Sequence, residues 1–305
     1  MKKILWLRTG GTIECARTGD GLSPDSGFRK ETMNLLADGI MVDAESIFSL
    51  DSTEITLEHW QKLAGTVFGR HEYPGYDGFV ITHGTDTLQY SSAALSHMLE
   101  NFRKPVVFTG SQKPFSEKDS DAGFNLTCAF AAARDLPGGV YVVFAGKIIS
   151  GASAIKINTR EADAFTDANG FIGEAKLDSA RLFVSPVPAE AFPVLNDKIC
   201  GKVFYLKITP NVDVGIADFI LEKKYKGVVC EAYGLGGIPG GFLEKLGALV
   251  KNGVRVVVVS QCLYGNVDLS VYAAHSRARG LGIEAWKMTG ASALAKLMIE
   301  LGKID

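Results

Sequence analysis

The stretch KILWLRTGGT, residues 3–12, joins a short apolar run to a glycine turn that ends in threonine. A run of this length bounded by Gly-Gly predicts a buried strand. Such runs alternate along the chain with segments of helical periodicity, which is typical of an α/β protein with a parallel sheet. The predicted strands cover residues 3–7, 46–50, 78–82, 105–109, 140–145, 202–208, 227–231 and 255–259. The predicted helices cover residues 87–101, 122–134, 216–224, 242–251 and 292–301.

The length of the chain, 305 residues, suits two hydrophobic cores better than one. Residues 184–199 follow neither a helical nor a strand period and contain Pro186, Pro188 and Pro193. Proline fixes φ and removes a backbone donor, so this stretch is predicted to be neither helix nor central strand. We therefore predict a domain over residues 1–184, a linker over residues 185–200 and a second domain over residues 201–305.

The composition is that of an ordinary globular protein, with 47% hydrophobic and 22% charged residues and a net charge of -2. Lysine and arginine are not clustered, so neither nucleic acid nor an anionic membrane is an expected partner. No stretch approaches the ~18 apolar residues of a membrane span. The four apolar residues that follow Lys3 are too few for a secretion signal. These observations favour a cytoplasmic protein.

The patterns that would indicate a metal or a cofactor are absent from the sequence. The five cysteines are scattered without a C-x-x-C pair, and the five histidines form no H-E-x-x-H motif. The nearest approach to a dinucleotide fingerprint, GLGGIP at residues 234–239, ends in proline instead of glycine. We therefore expect reduced thiols, no metal and no cofactor.

Four predicted strands are each followed by glycines, hydroxyl residues or acids. These segments are TGGT (9–12), DST (51–53), HGTDT (83–87) and GSQ (110–112). In an open parallel sheet the carboxyl ends of the strands form the binding edge. Each segment alone is commonly a turn or a helix cap, but together they predict a site at this edge.

The residue types in these segments suit the hydrolysis of an amide. A tight Gly10-Gly11 turn can bring backbone N–H groups near a developing oxyanion. The Thr12 hydroxyl can attack a carbonyl if a base removes its proton. Asp86 suits the ammonium group of an amino acid, and Ser52 suits the carboxylate.

The segments TGGTI (9–13) and HGTDT (83–87) resemble the two signatures of the bacterial-type L-asparaginase/glutaminase family. DST at 51–53 resembles the cytoplasmic, type I branch, and the similarity continues through GASAIK (151–156), DAF (163–165), YGLG (233–236) and SQC (260–262). The resemblance implies a larger N-terminal, flavodoxin-like mixed or parallel sheet flanked by helices, and a smaller C-terminal parallel α/β domain. It also implies a homodimer or a dimer of dimers.

The resemblance further implies an L-asparaginase that converts asparagine to aspartate and ammonia. Thr12 resembles the nucleophile, which forms a β-aspartyl ester. Thr85, Asp86 and Lys156 resemble a second triad that relays a proton. The residues implied to bind the substrate are Asp51, Ser52, Thr53, Thr85 and Asp86.

Two positions shortly after the first signature depart from the family pattern. Leu22 stands where relatives usually have a loop tyrosine that bonds the nucleophile, so another group must accept the Thr12 proton. The alternatives are Thr85 with Lys156, Tyr233, Tyr264 or a neighbouring subunit. Glu14 stands where relatives usually have a small residue; it is either a carboxylate near the site or, as we favour, a solvated loop charge.

Three other functions remain open within this resemblance. The chain could be a glutaminase-asparaginase of broader specificity, because one methylene in a pocket discriminates by only ~1–3 kcal/mol. It could be a non-catalytic amino-acid-binding relative, since Leu22 replaces the tyrosine. It could also be a component of a transamidosome, although we expect such a component to carry an additional N-terminal domain.

Overall fold

The computed structural model describes residues 1–19, 21–24, 39–71, 75–184, 191–271 and 273–304. These residues form two compact units, Met1–Asp197 and Lys198–Asp305. Within the predicted linker, residues 185–190 lie outside the described residues, while Val194–Leu195 pairs with Leu99–Glu100 of the first unit. The exact boundaries of the linker stay a prediction.

The first unit begins with strands β1 (Lys2–Gly10), β2 (Cys15–Thr18), β3 (Gly21–Pro24) and β4 (Ile40–Leu50), followed by helix α1 (Leu57–Gly69). It continues with β5 (Gly78–Thr82), α2 (Leu88–Met98), β6 (Leu99–Glu100), β7 (Pro105–Thr109), α3 (Ala122–Asp135) and β8 (Gly139–Phe144). Its remaining strands are β9 (Lys147–Ser150), β10 (Ala154–Lys156), β11 (Phe165–Asp167), β12 (Gly173–Ala175), β13 (Ala180–Leu182) and β14 (Val194–Leu195). Two 3-10 turns, Thr12–Glu14 and Ser52–Glu54, follow β1 and β4.

The principal sheet of the first unit has the strand order β13-β12-β9-β8-β7-β5-β1-β4. Neighbouring strands from β8 to β4 are parallel, whereas β9, β12 and β13 pair in antiparallel fashion. The expected mixed sheet is therefore confirmed. Because β7, β5, β1 and β4 run in the same direction, their carboxyl ends lie at one edge.

Strands β2, β3 and β9–β14 lie outside the predicted strands, and the structure differs further from the sequence prediction at three elements of this unit. β4 begins at Ile40 instead of residue 46, since its first half alternates exposed and half-buried residues and shows no apolar run. Helix α1, which lies outside the predicted helices, begins after a capping box formed by Thr56 and His59. Helix α2 ends at Met98, and the next two residues form β6.

Helix α3 packs closely on the sheet because its inner face is built from small residues. Ala129, Ala132 and Ala133 are buried there, and Phe130 contacts Trp6 of β1 edge-on, with ring centroids 5.9 Å apart. At the start of β5, a Cβ on Gly78 would lie 2.2 Å from the Ala133 carbonyl oxygen. Glycine at this position therefore lets the helix approach the strand.

The second unit is a smaller parallel α/β domain, as expected. Its elements are β15 (Val203–Lys207), α4 (Ile216–Glu222), β16 (Gly227–Ala232), α5 (Gly240–Lys251), β17 (Arg255–Ser260), α6 (Ala273–Gly280), β18 (Glu284–Ala285) and α7 (Gly290–Gly302). The strand order is β15-β16-β17-β18, with every pair parallel. Among the described helices of both units, none has the length and apolar character needed to cross a bilayer.

The close approach at Gly78 predicts a difference between two glycine-to-alanine variants. Gly78→Ala should lower the free energy of unfolding by about 1–3 kcal/mol, because the methyl group collides with the α3 backbone. Gly65→Ala is the matched control, since a Cβ there meets no atom within 4 Å and alanine favours the helix by up to about 1 kcal/mol. Urea unfolding of both variants measures the difference. Equal stability of the two would contradict the packing described for α3.

Candidate active site

A cavity of about 220 Å³ opens at the carboxyl edge of the first unit's sheet. Its walls are the residues that follow β1, β4 and β5, together with Leu22 of β3. Of the residues that the sequence predicts for the site, those that line this cavity are Thr12, Asp51, Ser52, Thr85 and Asp86. Lys156 reaches Thr85 from β10, and Thr53 has an exposed side chain that bonds Asp51.

Glycines allow the three segments around the cavity to meet. Gly10 and Gly11 have φ angles of +92° and +82°, which side chains rarely tolerate. A Cβ on Gly11 would lie 2.4 Å from the Gly84 Cα, and one on Gly10 would lie 2.6 Å from the Leu50 nitrogen. A Cβ on Gly84 would in turn lie 2.7 Å from the Ser52 hydroxyl. The loops after β1, β4 and β5 are therefore in direct backbone contact.

Thr12 begins the 3-10 turn and is half-buried. Its hydroxyl has no hydrogen-bond partner among the residues that the structure describes, so it can bond a molecule in the cavity. The Gly11 N–H, in contrast, donates to the Leu50 carbonyl at 3.1 Å. That N–H is consequently engaged in joining the end of β1 to β4, and the oxyanion role of the turn's N–H groups stays a prediction.

A second hydroxyl is held by a lysine on the other side of the cavity. The Lys156 Nζ donates to the Thr85 Oγ1 at 2.8 Å and to the Asp86 Oδ1 at 2.6 Å. The side chain of Lys156 is 14% exposed, whereas that of Asp86 is 62% exposed. The Lys156 backbone N–H also donates to the Gln89 Oε1 at 2.8 Å, which ties β10 to α2. Lys156 is therefore fixed at both its backbone and its side chain.

Gln112 and Asp121 support Thr85 and were not among the predicted site residues. The Thr85 hydroxyl donates to the Gln112 Oε1 at 3.4 Å, and the Gln112 Nε2 donates to the Glu161 carbonyl at 3.2 Å. The Asp121 carboxylate accepts the Gln112 backbone N–H at 3.0 Å. The sequence feature that could have identified Gln112 is its place in the segment GSQ, which directly follows the fourth predicted strand.

The segment after β4 presents one acid and one hydroxyl to the cavity. The Asp51 Oδ1 accepts both the N–H and the hydroxyl of Thr53, at 2.9 and 2.8 Å. These hydrogen bonds hold the pKa of Asp51 below its usual range. Ser52 is buried, and its carbonyl accepts the Thr87 hydroxyl at 2.7 Å. Asp51 is therefore kept ionised beside a fixed Ser52.

His83 orients the segment that carries Thr85. Complete burial lowers the pKa of His83 to about 4, so the ring is neutral. Its Nδ1 lies 2.8 Å from the Gly84 carbonyl, which only accepts, and the proton must therefore be on Nδ1. The Nε2 then accepts the Ser91 hydroxyl at 3.0 Å, and the Ser91 oxygen accepts the Trp60 N–H at 3.0 Å. This network sets the tautomer and fixes Gly84 against Gly11.

Leu22 lines the cavity from the β2–β3 hairpin and is 44% exposed. It has no polar atom with which to bond the Thr12 hydroxyl. Tyr73 lies outside the described residues, and Tyr233 and Tyr264 belong to the second unit. The group that accepts the Thr12 proton stays open.

Glu14 is buried, with 4% of its surface exposed, and the interpretation as a solvated loop charge is wrong. Its Oε1 accepts the Thr82 hydroxyl at 2.8 Å, and its Oε2 accepts the Arg8 Nε at 3.2 Å. Burial raises the pKa of Glu14, although the Arg8 charge and these hydrogen bonds oppose the increase. The sequence offered no signal for this burial, because the partners lie on two different strands.

The described residues contain no cluster of His, Cys, Asp and Glu that could hold a metal ion. The described groups at the cavity include hydroxyls, carboxylates, the Cys15 thiol and the Lys156 ammonium that holds Thr85. This set can perform nucleophilic attack and proton transfer on a small amide whose ends carry opposite charges.

Comparison with known proteins identifies relatives along nearly the whole chain. Residues 3–187 match the family described as Asparaginase, N-terminal, and residues 202–305 match the Glutaminase/Asparaginase C-terminal domain. An L-asparaginase of Thermococcus kodakarensis is 37% identical, over 98% of this chain and 93% of the relative. One component of the glutamyl-tRNA(Gln) amidotransferase of Methanopyrus kandleri is 32% identical, over 98% of this chain and 70% of the relative.

A solved structure, that of the thermostable L-asparaginase from Thermococcus kodakarensis, is also similar to this chain. The TM-score is 0.91 at 36% identity, with 98% of this chain and 93% of that chain covered. The family models match both units in order, and the fold agrees with that of a solved member. The chain therefore belongs to the asparaginase/glutaminase family.

Proposed function

We propose that this protein is an L-asparaginase that hydrolyses L-asparagine to L-aspartate and ammonia through a threonine-bound β-aspartyl intermediate. The observation that carries the proposal is the pair of threonines at one cavity. Thr12 has a hydroxyl that no described residue bonds, and Thr85 has a hydroxyl held at 2.8 Å by the Lys156 ammonium. Family membership and the names of the relatives support the same reaction.

In the proposed first step, the Thr12 Oγ1 attacks the side-chain amide carbon of asparagine. The Thr12 hydroxyl gives up its proton, a carbon–oxygen bond forms, the carbon–nitrogen bond breaks, and the leaving nitrogen takes up that proton to become ammonia. In the second step, water attacks the ester, the threonine oxygen regains a proton, and aspartate is released. Thr85 and Lys156 would orient the reacting hydroxyl or water, since their hydrogen bond is already in place.

The charges around the cavity suit the two ends of an amino acid. Asp86 keeps an exposed carboxylate oxygen beside the one that Lys156 binds, and we assign it to the α-ammonium group. Asp51 adds a second negative charge at the same wall. Ser52 and the backbone beside it are assigned to the α-carboxylate. Thr53 contributes through its two hydrogen bonds to Asp51.

Ammonia release with asparagine and with glutamine, each at the same concentration, tests this function. Faster release from asparagine supports an L-asparaginase, and comparable rates support a glutaminase-asparaginase. Thermal stabilisation by both amides without ammonia release would contradict the proposal and favour a binding protein. Transfer of the ammonia to an acceptor would favour a component of an amidotransferase, the alternative that the Methanopyrus kandleri relative suggests.

We also propose a homodimer or a dimer of dimers in the cytoplasm. Val184 and Phe192 are 82% and 84% exposed, and the half-exposed rings of Phe171 and Phe183 lie 5.8 Å apart. Apolar surface of this kind is usually covered by a partner. Light scattering at micromolar concentration should give at least twice the 32.7 kDa mass of the chain. A monomer under these conditions would contradict the proposal.

If Thr12 is the nucleophile, Thr12→Ala should lower kcat by at least about a thousandfold, since the hydroxyl that forms the ester is removed. Aspartate should still bind, because its charged ends contact other residues. Thr12→Ser keeps the hydroxyl and should retain part of the activity. Thr127→Ala is the control, since its hydroxyl only bonds the Gly123 carbonyl within α3. Full activity of Thr12→Ala would exclude the mechanism.

If Thr85 and Lys156 act together, Thr85→Ala and Lys156→Met should each be severely impaired, and the double variant should be little worse than either. An acid quench followed by mass spectrometry should detect an ester on the peptide that contains Thr12. Lys147→Met is the matched control, because Lys147 also bonds an aspartate, Asp163, at 2.6 Å. An adduct on Thr85 would reverse the roles of the two threonines, and additive losses would contradict a joint role.

A further inference from the structure

A chain of buried hydrogen bonds runs beneath the turn that carries Thr12. The Trp6 Nε1 donates to the Thr82 Oγ1 at 3.2 Å, and the Thr82 hydroxyl donates to the Glu14 Oε1 at 2.8 Å. The Arg8 Nε donates to the Glu14 Oε2 at 3.2 Å. Glu14 therefore connects the turn to β1 through Arg8 and to β5 through Thr82.

The alternation of side chains along β1 explains which residue of this strand faces the Glu14 carboxylate. Side chains two residues apart point to the same side of a strand, so Arg8 lies on the face where Trp6 packs on Phe130. The side chains of Arg8 and Glu14 are only 20% and 5% exposed. Glu14, two residues after Thr12, accepts hydrogen bonds from both strands. Its neighbour Ile13 is fully buried and holds the turn from the same direction.

The charge of Glu14 is unfavourable for folding. Burial raises its pKa, so the folded state favours the protonated carboxyl more than the unfolded chain does. The stability that protonation contributes is lost as the pH rises through the folded pKa, and the ionised group then lowers stability. A neutral glutamine of the same size would avoid this cost. A charged residue kept against stability is common where activity requires it.

The Leu22 side chain cannot bond the Thr12 hydroxyl, so the orientation of Thr12 depends more strongly on the turn Thr12–Glu14. The side chain of Leu22 offers no hydrogen bond to the Thr12 hydroxyl, although both residues line the cavity. Since no described residue bonds that hydroxyl, its placement depends on the rotamer of Thr12 and on the backbone of the turn Thr12–Glu14, which Glu14 anchors at its end. Glu14 also lines the cavity, and each of its two carboxylate oxygens accepts a hydrogen bond from a strand side chain, which suits a positioning role.

We propose that Glu14 is a positioning residue for Thr12: its carboxyl group, held by Arg8 and Thr82, fixes the turn so that the Thr12 hydroxyl faces the cavity. The proposal rests on the proposed function, because it assigns the nucleophile to Thr12. It explains why an acid is buried two residues after this threonine.

Glu14→Gln tests the proposal, because the amide keeps the size and one acceptor but presents no second acceptor to Arg8. We expect kcat with asparagine to fall by roughly ten- to a hundredfold, as for a misplacement of about 1 Å, with KM nearly unchanged. The Tm should change little, because the avoided cost of burying the Glu14 charge and the loss of its ion pair with Arg8 oppose each other. Hydrogen exchange should accelerate in the peptide that spans residues 9–15 and nowhere else. Glu14→Asp keeps the charge and should restore part of kcat.

Glu174→Gln is the matched control, since Glu174 pairs with Arg181 at 2.6 Å on the β12–β13 hairpin and lies outside the cavity lining. It should leave kcat and the exchange of residues 9–15 unchanged. Arg8→Lys is a second variant, which removes only the guanidinium. It should lower kcat and accelerate the exchange of residues 9–15 as Glu14→Gln does, but to a smaller extent.

The readouts separate failure of this proposal from failure of the proposed function. If the wild-type protein releases no ammonia, the proposed function fails, and hydrogen exchange of residues 9–15 alone decides the role of Glu14. Unchanged exchange in Glu14→Gln, or an unchanged kcat, would overturn the positioning role. A fall in kcat together with a lower Tm and faster exchange throughout the first unit would overturn it as well. The loss of activity would then reflect a general loss of stability.

Discussion

The backbone contact between Gly11 and Gly84 is the constraint on which the site depends. A Cβ on Gly11 would lie 2.4 Å from the Gly84 Cα, so neither loop tolerates a side chain at this point. The contact joins the loop that carries Thr12 to the loop that carries Thr85. Because β1 and β5 are adjacent and parallel, both loops leave the sheet at the same edge. Without this approach, the two hydroxyls would belong to separate surfaces.

Buried polar groups on both sides of this contact keep the loops rigid. On the β5 side, the neutral His83 ring is fixed by Ser91 and bonds the Gly84 carbonyl. On the β1 side, Glu14 accepts hydrogen bonds from Thr82 and Arg8. In a buried environment, hydrogen bonds of this kind specify a single arrangement. The positions of the two threonines therefore depend on this buried network as well as on the residues that line the cavity.

The anchored turn also compensates for the apolar part of the cavity wall at Leu22. Where the sequence has Leu22, the wall provides no polar partner for Thr12, and the turn Thr12–Glu14 is held from below instead. Lys156 is fixed by Thr85, Asp86 and Gln89 before any ligand is present. Preorganisation of this kind lowers the cost of orienting reacting groups. It is consistent with amide hydrolysis carried out by side chains of a rigid scaffold.

Local sequence patterns were enough to predict the fold class, the positions of the central strands and the polar segments that follow them. Short apolar runs and glycines encode these features within about ten residues. Which side chains meet depends instead on the tertiary structure. Lys156 lies 70 residues from Asp86 along the chain but 2.6 Å from its carboxylate, and Glu14 finds its partners on two different strands. The burial of Glu14, which the sequence led us to interpret as a loop charge, depends on how β1, β5 and the turn pack together. No local pattern contains that information, because burial is a property of the assembled layers.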